Sequence, residues 1–121
     1  MYKRQVKYVL SQLHIPEQLS VSRSPQRTGE ISYTALQDWP VEDWPLIINT
    51  TPLGMYPKVE QAPDFPYHRL DARHRVVDLI YNPEITRLME LAAAQGARTL
   101  NGMPMLIGQA EKAWEIWQQP I

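Results

Sequence analysis

The chain has 121 residues, twelve Lys and Arg against thirteen Asp and Glu, eleven prolines and no cysteine. That length fits one domain. A net charge of −1 disfavours nucleic acid or an anionic membrane as partner, and the lack of cysteine removes disulfides, thiolate zinc sites and cysteine nucleophiles.

In chain order, Val6, Val9, Leu10 and Leu13 fall at i, i+3, i+4 and i+7, so a helix with one apolar stripe is expected, stopped by Pro16. Leu19 to Ser22 reads as a short strand, followed by the polar turn from Arg23 to Gly29 and a weaker strand from Ile31 to Thr34. Trp39-Pro40 and Trp44-Pro45 are expected to keep the segment between them extended. Leu46-Ile47-Ile48-Asn49 has the continuous apolar pattern of a buried parallel strand. Four prolines between Pro52 and Pro66 mark a loop, and Arg75 to Ile80 is the next strand. Asn82 with Pro83 is expected to open a helix carrying Ile85, Leu88, Met89 and Ala92, which Gly96 ends. Ala97 to Leu100 reads as a strand, and a last helix runs from about Met103 to Gln118, burying Leu106, Ala110, Ala113, Trp114 and Trp117.

Alternating strands and helices imply an α/β fold with a mostly parallel sheet, whose ligand lies beyond the carboxyl ends of the strands. Four stretches follow strands directly: Ser22-Arg23-Ser24, Asn49-Thr50-Thr51, Tyr81-Asn82-Pro83 and Asn101-Gly102. Arg23 and Arg27 with Ser22 and Ser24 suit a phosphate monoester, because guanidinium offers forked donors; a solvated basic turn is the plainer reading. Asn49 and Thr51, before Gly54, suit either a ligand or an Asx turn. The Asn49-Thr50-Thr51 sequon has no secretory signal before it to make it meaningful. Gln109 borders the apolar face of the last helix, with Met105 one turn earlier, and can either meet a hydroxylated ligand or face solvent. His14, His68 and His74 lack metal-ligand spacing and are read as surface residues, and no metal is expected. Asp78 stands at a strand end, where it is expected to cap backbone.

Three motifs in register then carry a resemblance: Ile47 to Pro57, with Asn49-Thr50-Thr51-Pro52-Leu53-Gly54 at its centre; Asp78-Leu79-Ile80-Tyr81-Asn82-Pro83; and Asn101 to Ala110. From about Val6 to Trp117 the chain resembles the shikimate dehydrogenase family. The resemblance implies an incomplete Rossmann-like, doubly wound parallel sheet with a C-terminal helix, over residues 6–121, with Met1 to Gln5 expected to be a start foreign to the family. It implies NADP as cofactor and the NADPH-dependent reduction of 3-dehydroshikimate to shikimate, in aromatic amino-acid (chorismate) biosynthesis, in the cytoplasm.

By the same resemblance Ser22, Arg23, Ser24 and Arg27 hold the adenosine ribose and its 2′-phosphate, and Asn49 and Thr51 lie near the dinucleotide. Leu79, Gly102 and Met105 border the nicotinamide, and Tyr81 and Gln109 contact the substrate. The family's N-terminal substrate domain, with its lysine and aspartate, has no counterpart here; nor has the glycine-rich turn of the first Rossmann strand. No catalytic residue is therefore assigned. The expected partner is a small molecule, neither nucleic acid nor membrane, with a homodimer left open. Two other readings stand beside this one: a free-standing NADP(H)-binding module, and an inactive fragment whose exposed strand edges favour aggregation.

Overall fold

A computed structural model of the chain describes residues 3–15 and 17–120. The helix α1 (Lys3–Gln12) buries none of its residues. Val6 and Leu10 are half-buried while Val9 and Leu13 stay exposed, so the expected stripe is only partly used. The expected stop at Pro16, and Met1 and Tyr2 of the expected foreign start, lie outside the described residues.

Among the described residues, five short strands form two parallel sheets. The strands β1 (Ser20–Val21) and β2 (Glu30–Ile31) make one; β3 (Leu46–Asn49), β4 (Arg75–Asp78) and β5 (Arg98–Leu100) make the other, in the order β3-β4-β5. β1 and β3 do not pair. Two cavities, of 190 and 410 Å³, separate them, and Leu19, Ser20, Leu46 and Ile48 line both.

The remaining elements are the short helix α2 (Tyr33–Leu36), the helices α3 (Arg87–Ala93) and α4 (Met103–Trp117), and two 3-10 turns at Val41–Asp43 and Tyr67–Arg69. A seven-residue helix has no stability of its own in water. α3 is held by Leu88, Met89 and Ala92, buried against Leu70, Val76 and Ala97. Burying an aliphatic side chain of this size contributes ~1.5–3 kcal/mol, enough to fix so short a helix on β4 and β5.

Several expectations are corrected. The strand from Ile31 to Thr34 ends at Ile31, because the Ser32 hydroxyl accepts the Ala35 N–H at 3.0 Å and starts α2. The segment between the two Trp-Pro pairs is not extended throughout. Proline disfavours helix at the residue before it but not at those that follow, and Asp43 N–H reaches Pro40 C=O at 3.0 Å, which closes the 3-10 turn that buries Val41. α3 does not open at Asn82. The Asn82 carbonyl is engaged by the Tyr56 N–H, and Thr86 caps the helix instead, accepting the Met89 N–H. Ile85 consequently falls outside α3 and is exposed.

α4 lies close to its expected bounds, with Pro104 in its first turn, but none of its residues is buried. Trp114 is 60% exposed and Trp117 75%, so they are not core anchors here; among the described residues no element covers that face. His74 is a further correction, being wholly buried rather than on the surface. Its Nδ1 accepts the Asp71 N–H at 3.1 Å, so Nε2 carries the proton and donates to Val41 C=O at 2.9 Å. The expected end of α3 holds: Gly96 takes φ +89, a left-handed geometry that suits glycine.

The turn between β1 and β2 depends on Glu30. One carboxylate oxygen accepts the Gln26 and Arg27 N–H groups at 3.1 and 3.0 Å, and the other pairs with Lys3 Nζ of α1. The Lys3 ammonium, followed by the Gln26 amide, lowers this carboxyl from 4.5 to about 2. A depressed acid stabilises the folded state above its unfolded pKa, and the contribution is lost as pH falls through the folded value. Between pH 4.5 and about 2, α1 should therefore come away from the turn. The Gln26 and Arg27 amide resonances should follow that titration in the native protein and not in Glu30→Gln. Resonances that stay constant down to pH 2 in the native protein would contradict the tether.

Candidate functional site

Because β3, β4 and β5 run parallel, their carboxyl ends, Asn49, Asp78 and Leu100, share one rim. Its centre is a buried polar cluster. Asp78 Oδ1 accepts the Asn49 carboxamide and the Ile80 N–H, both at 3.1 Å, and Oδ2 accepts the Thr86 hydroxyl at 2.7 Å. Burial pushes the Asp78 carboxyl up, and the three donors oppose that shift. Asn49 passes the connection on: its Oδ1 accepts both the N–H and the hydroxyl of Thr51, at 3.0 and 2.7 Å, and Thr51 Oγ1 accepts the Leu53 N–H. The backbone-capping role expected of Asp78 is present in its bond to Ile80. Its side-chain partners were not legible, since Asn49 and Thr86 lie 29 and 8 residues away.

Above this cluster the loops after β3 and β4 meet, with Tyr56 N–H on Asn82 C=O at 3.0 Å. Together with the first two turns of α4 they enclose a cleft of 290 Å³ lined by Met55, Tyr56, Leu79 to Asn82, Met105, Leu106 and Gln109. Gly102 fixes the approach of α4. Its N–H donates to Ile80 C=O at 2.9 Å, and a Cβ on it would lie 1.9 Å from the Leu79 carbonyl oxygen. Only glycine lets the helix start so near the end of β4.

The structure thus brings Leu79, Tyr81, Met105 and Gln109 to one cleft, with Gly102 pressed behind it. Tyr81 and Gln109 are exposed, free to meet a ligand, while Leu79 is buried. Asn49 and Thr51 line the 190 Å³ cavity alongside Ser20 and Val21, next to Ser22. Ser22 Oγ accepts the Ser24 N–H at 3.2 Å and shapes the basic turn. Arg23, Ser24 and Arg27 are exposed on that turn, line none of these three cavities, and the two arginines make no ion pair among the described residues. Met55, Tyr56 and Leu106 belong to the cleft and were not expected there. Their only signal was membership of the first and third motifs.

The chemistry of these groups fits a phosphorylated dinucleotide. Unpaired guanidinium groups and a hydroxyl-shaped turn suit a phosphate monoester on a ribose. The Leu79 and Met105 side chains offer apolar faces to a flat ring, and Tyr81 and Gln109 offer hydrogen bonds at its edge.

No family model matches the chain. A protein of Desulforamulus reducens named shikimate dehydrogenase (NADP(+)) is 47% identical over 72 residues, 60% of this chain and 25% of that protein. The chain is similar to shikimate dehydrogenases. A shikimate dehydrogenase solved in complex with NADP+ is 37% identical, with a TM-score of 0.65 over 74% of this chain and 30% of that one. A chorismate mutase/shikimate 5-dehydrogenase fusion protein from Clostridium acetobutylicum superposes over 98% of this chain and 44% of its own, with a TM-score of 0.80 and 32% identity. The fold is therefore of the Rossmann-like kind found in shikimate dehydrogenases, with parallel sheets and a C-terminal helix. The chain spans about a quarter to a third of the length of the curated relatives it matches. Among the described residues no helix is long and apolar enough to cross a membrane.

Proposed function

We propose that residues 6–121 form the cofactor-binding part of an NADP-dependent shikimate dehydrogenase, the cytoplasmic enzyme that reduces 3-dehydroshikimate to shikimate with NADPH. The observation that carries this reading is the cleft, where segments far apart in sequence, Met55-Tyr56, Leu79 to Asn82 and Met105 to Gln109, face one another. The name shared by the relatives supports the reaction.

In this reading Arg23 and Arg27, with Ser22 and Ser24, take the 2′-phosphate and ribose. Asn49 and Thr51 shape the rim below the dinucleotide. Leu79, Gly102 and Met105 border the nicotinamide, which supplies the hydride when bound. Tyr81 and Gln109 orient the substrate by hydrogen bonds to its hydroxyl groups. A proton donor must stand within ~3 Å of the forming alkoxide. The residues that line the cleft include no carboxylic acid and no lysine, and no residue of this chain is assigned as that donor.

Two results are expected. With 3-dehydroshikimate and NADPH, this chain alone should leave the absorbance of NADPH unchanged, and supplying the remainder of a shikimate dehydrogenase should restore turnover. Arg23→Ala should weaken NADPH binding about tenfold and NADH binding little, since only NADPH carries the phosphate that an arginine fork recognises. Equal losses for both cofactors would count against the assignment.

A further inference from the structure

Asp78 is a wholly buried carboxylate that no step of the proposed chemistry uses. Its three partners come from three different places: the end of β3, the first turn beyond β4, and the cap of α3. All three are donors, which a carboxylate accepts without competition and a carboxamide cannot. Both walls of the cleft start from this cluster. One wall follows Asn49 through Thr51 and Leu53 to Met55 and Tyr56; the other follows Ile80 to Tyr81 and Asn82. The walls then join again at the Tyr56–Asn82 bond. The Gly102 N–H on Ile80 C=O attaches the start of α4 to the same point.

We propose that Asp78 is a positioning residue: it holds the loop carrying Thr51 and Tyr56 and the loop carrying Leu79 and Tyr81 at the separation that admits a nicotinamide ring. The inference rests on the NADP-binding reading above. Asp78 touches neither cofactor nor substrate. It acts through Asn49 and Ile80, and its chemistry matters because it supplies acceptors only.

The test compares three variants of the full chain. Asp78→Asn keeps the size and removes an acceptor. Asn49→Ser breaks the same connection from the other end and serves if Asp78→Asn fails to fold. Val76→Ala trims the neighbouring core without touching the cluster. Two readouts are taken: hydrogen exchange at the Leu53, Tyr56 and Ile80 amides, and the dissociation constant for NADPH. In Asp78→Asn and Asn49→Ser, exchange at those amides should quicken at least tenfold, and NADPH should bind about tenfold more weakly, as expected for losing one buried bond to a charged group. Val76→Ala should leave NADPH affinity within about twofold, although its melting temperature falls.

Equal weakening of NADPH by the core variant and the cluster variants would overturn the proposal, as would unchanged exchange at Tyr56 in Asp78→Asn. If the native chain itself does not bind NADPH, the cofactor reading fails, and the exchange data still decide whether Asp78 holds the two loops together.

Discussion

Gly102→Ala should lower stability by about 3 kcal/mol and abolish NADPH binding, the upper end of what overpacking a tight site costs. The new methyl would meet the Leu79 carbonyl oxygen at 1.9 Å and the carbonyl carbon at 2.5 Å. Neither is the far end of a flexible side chain. Both belong to the backbone that leaves β4, and Gly102 cannot retreat without breaking its bond to Ile80. Relief therefore requires α4 to move away from β4, which carries Met105 and Gln109 away from Leu79 and Tyr81. Gly108 is the control. It lies within α4, and a Cβ there meets nothing within 4 Å. Gly108→Ala should stabilise the chain by ~0.5–1 kcal/mol through helix propensity alone. Thermal melts of both variants check the pair, and a Gly102→Ala protein that melts with the native one would refute the close approach.

His74→Ala has the next largest expected effect, a loss of ~3 kcal/mol and a melting temperature lower by roughly 10 °C. Removing the ring leaves the Asp71 N–H without its partner, leaves the Val41 carbonyl with the Trp44 N–H alone, and opens a void where no surface was exposed. Losing the partner of one such group costs ~1–3 kcal/mol, and the void left by a wholly buried ring supplies the rest. His68, exposed on the 3-10 turn, is the comparison, and His68→Ala should change stability by less than about 0.5 kcal/mol. Similar melts for the two histidine variants would contradict the buried lock.

His74 also shows what the amino-acid sequence could not disclose. Its partners are main-chain groups, one of them 33 residues away, and no spacing rule encodes them. The same holds for Asp78, whose position at a strand end suggested capping but not its bonds to Asn49 and Thr86. By contrast, β3, β4 and α4 were readable. A continuous apolar run marks a strand, and a long amphipathic pattern with proline at its start marks a helix. Periodicity misled in one respect. It gave α4 an apolar face but could not say whether anything covers that face, and Trp114 and Trp117 stand exposed. Short-range signals also competed. Asn82-Pro83 looked like a helix start, yet Thr86 won because its hydroxyl serves both Asp78 and the first turn of α3.

The cleft was legible only as a set of motifs. Their positions after strands indicated one rim, and the structure brings Leu79, Tyr81, Met105 and Gln109 together there. The basic turn lies apart from that cleft, with Asn49 and Thr51 lining the cavity beside β1. In the function proposed above the turn takes the phosphate and the cleft the ring, and a dinucleotide is elongated enough to span separate sites.

The most direct test is an amide-resolved NADPH titration of the chain. The NADP-binding reading requires saturable shifts at two separated sets of residues, Ser22 to Arg27 on the basic turn and Leu79, Tyr81, Gly102 and Met105 around the cleft. Saturating NADPH that moves neither set, or only residues of the cavities between β1 and β3, would contradict it.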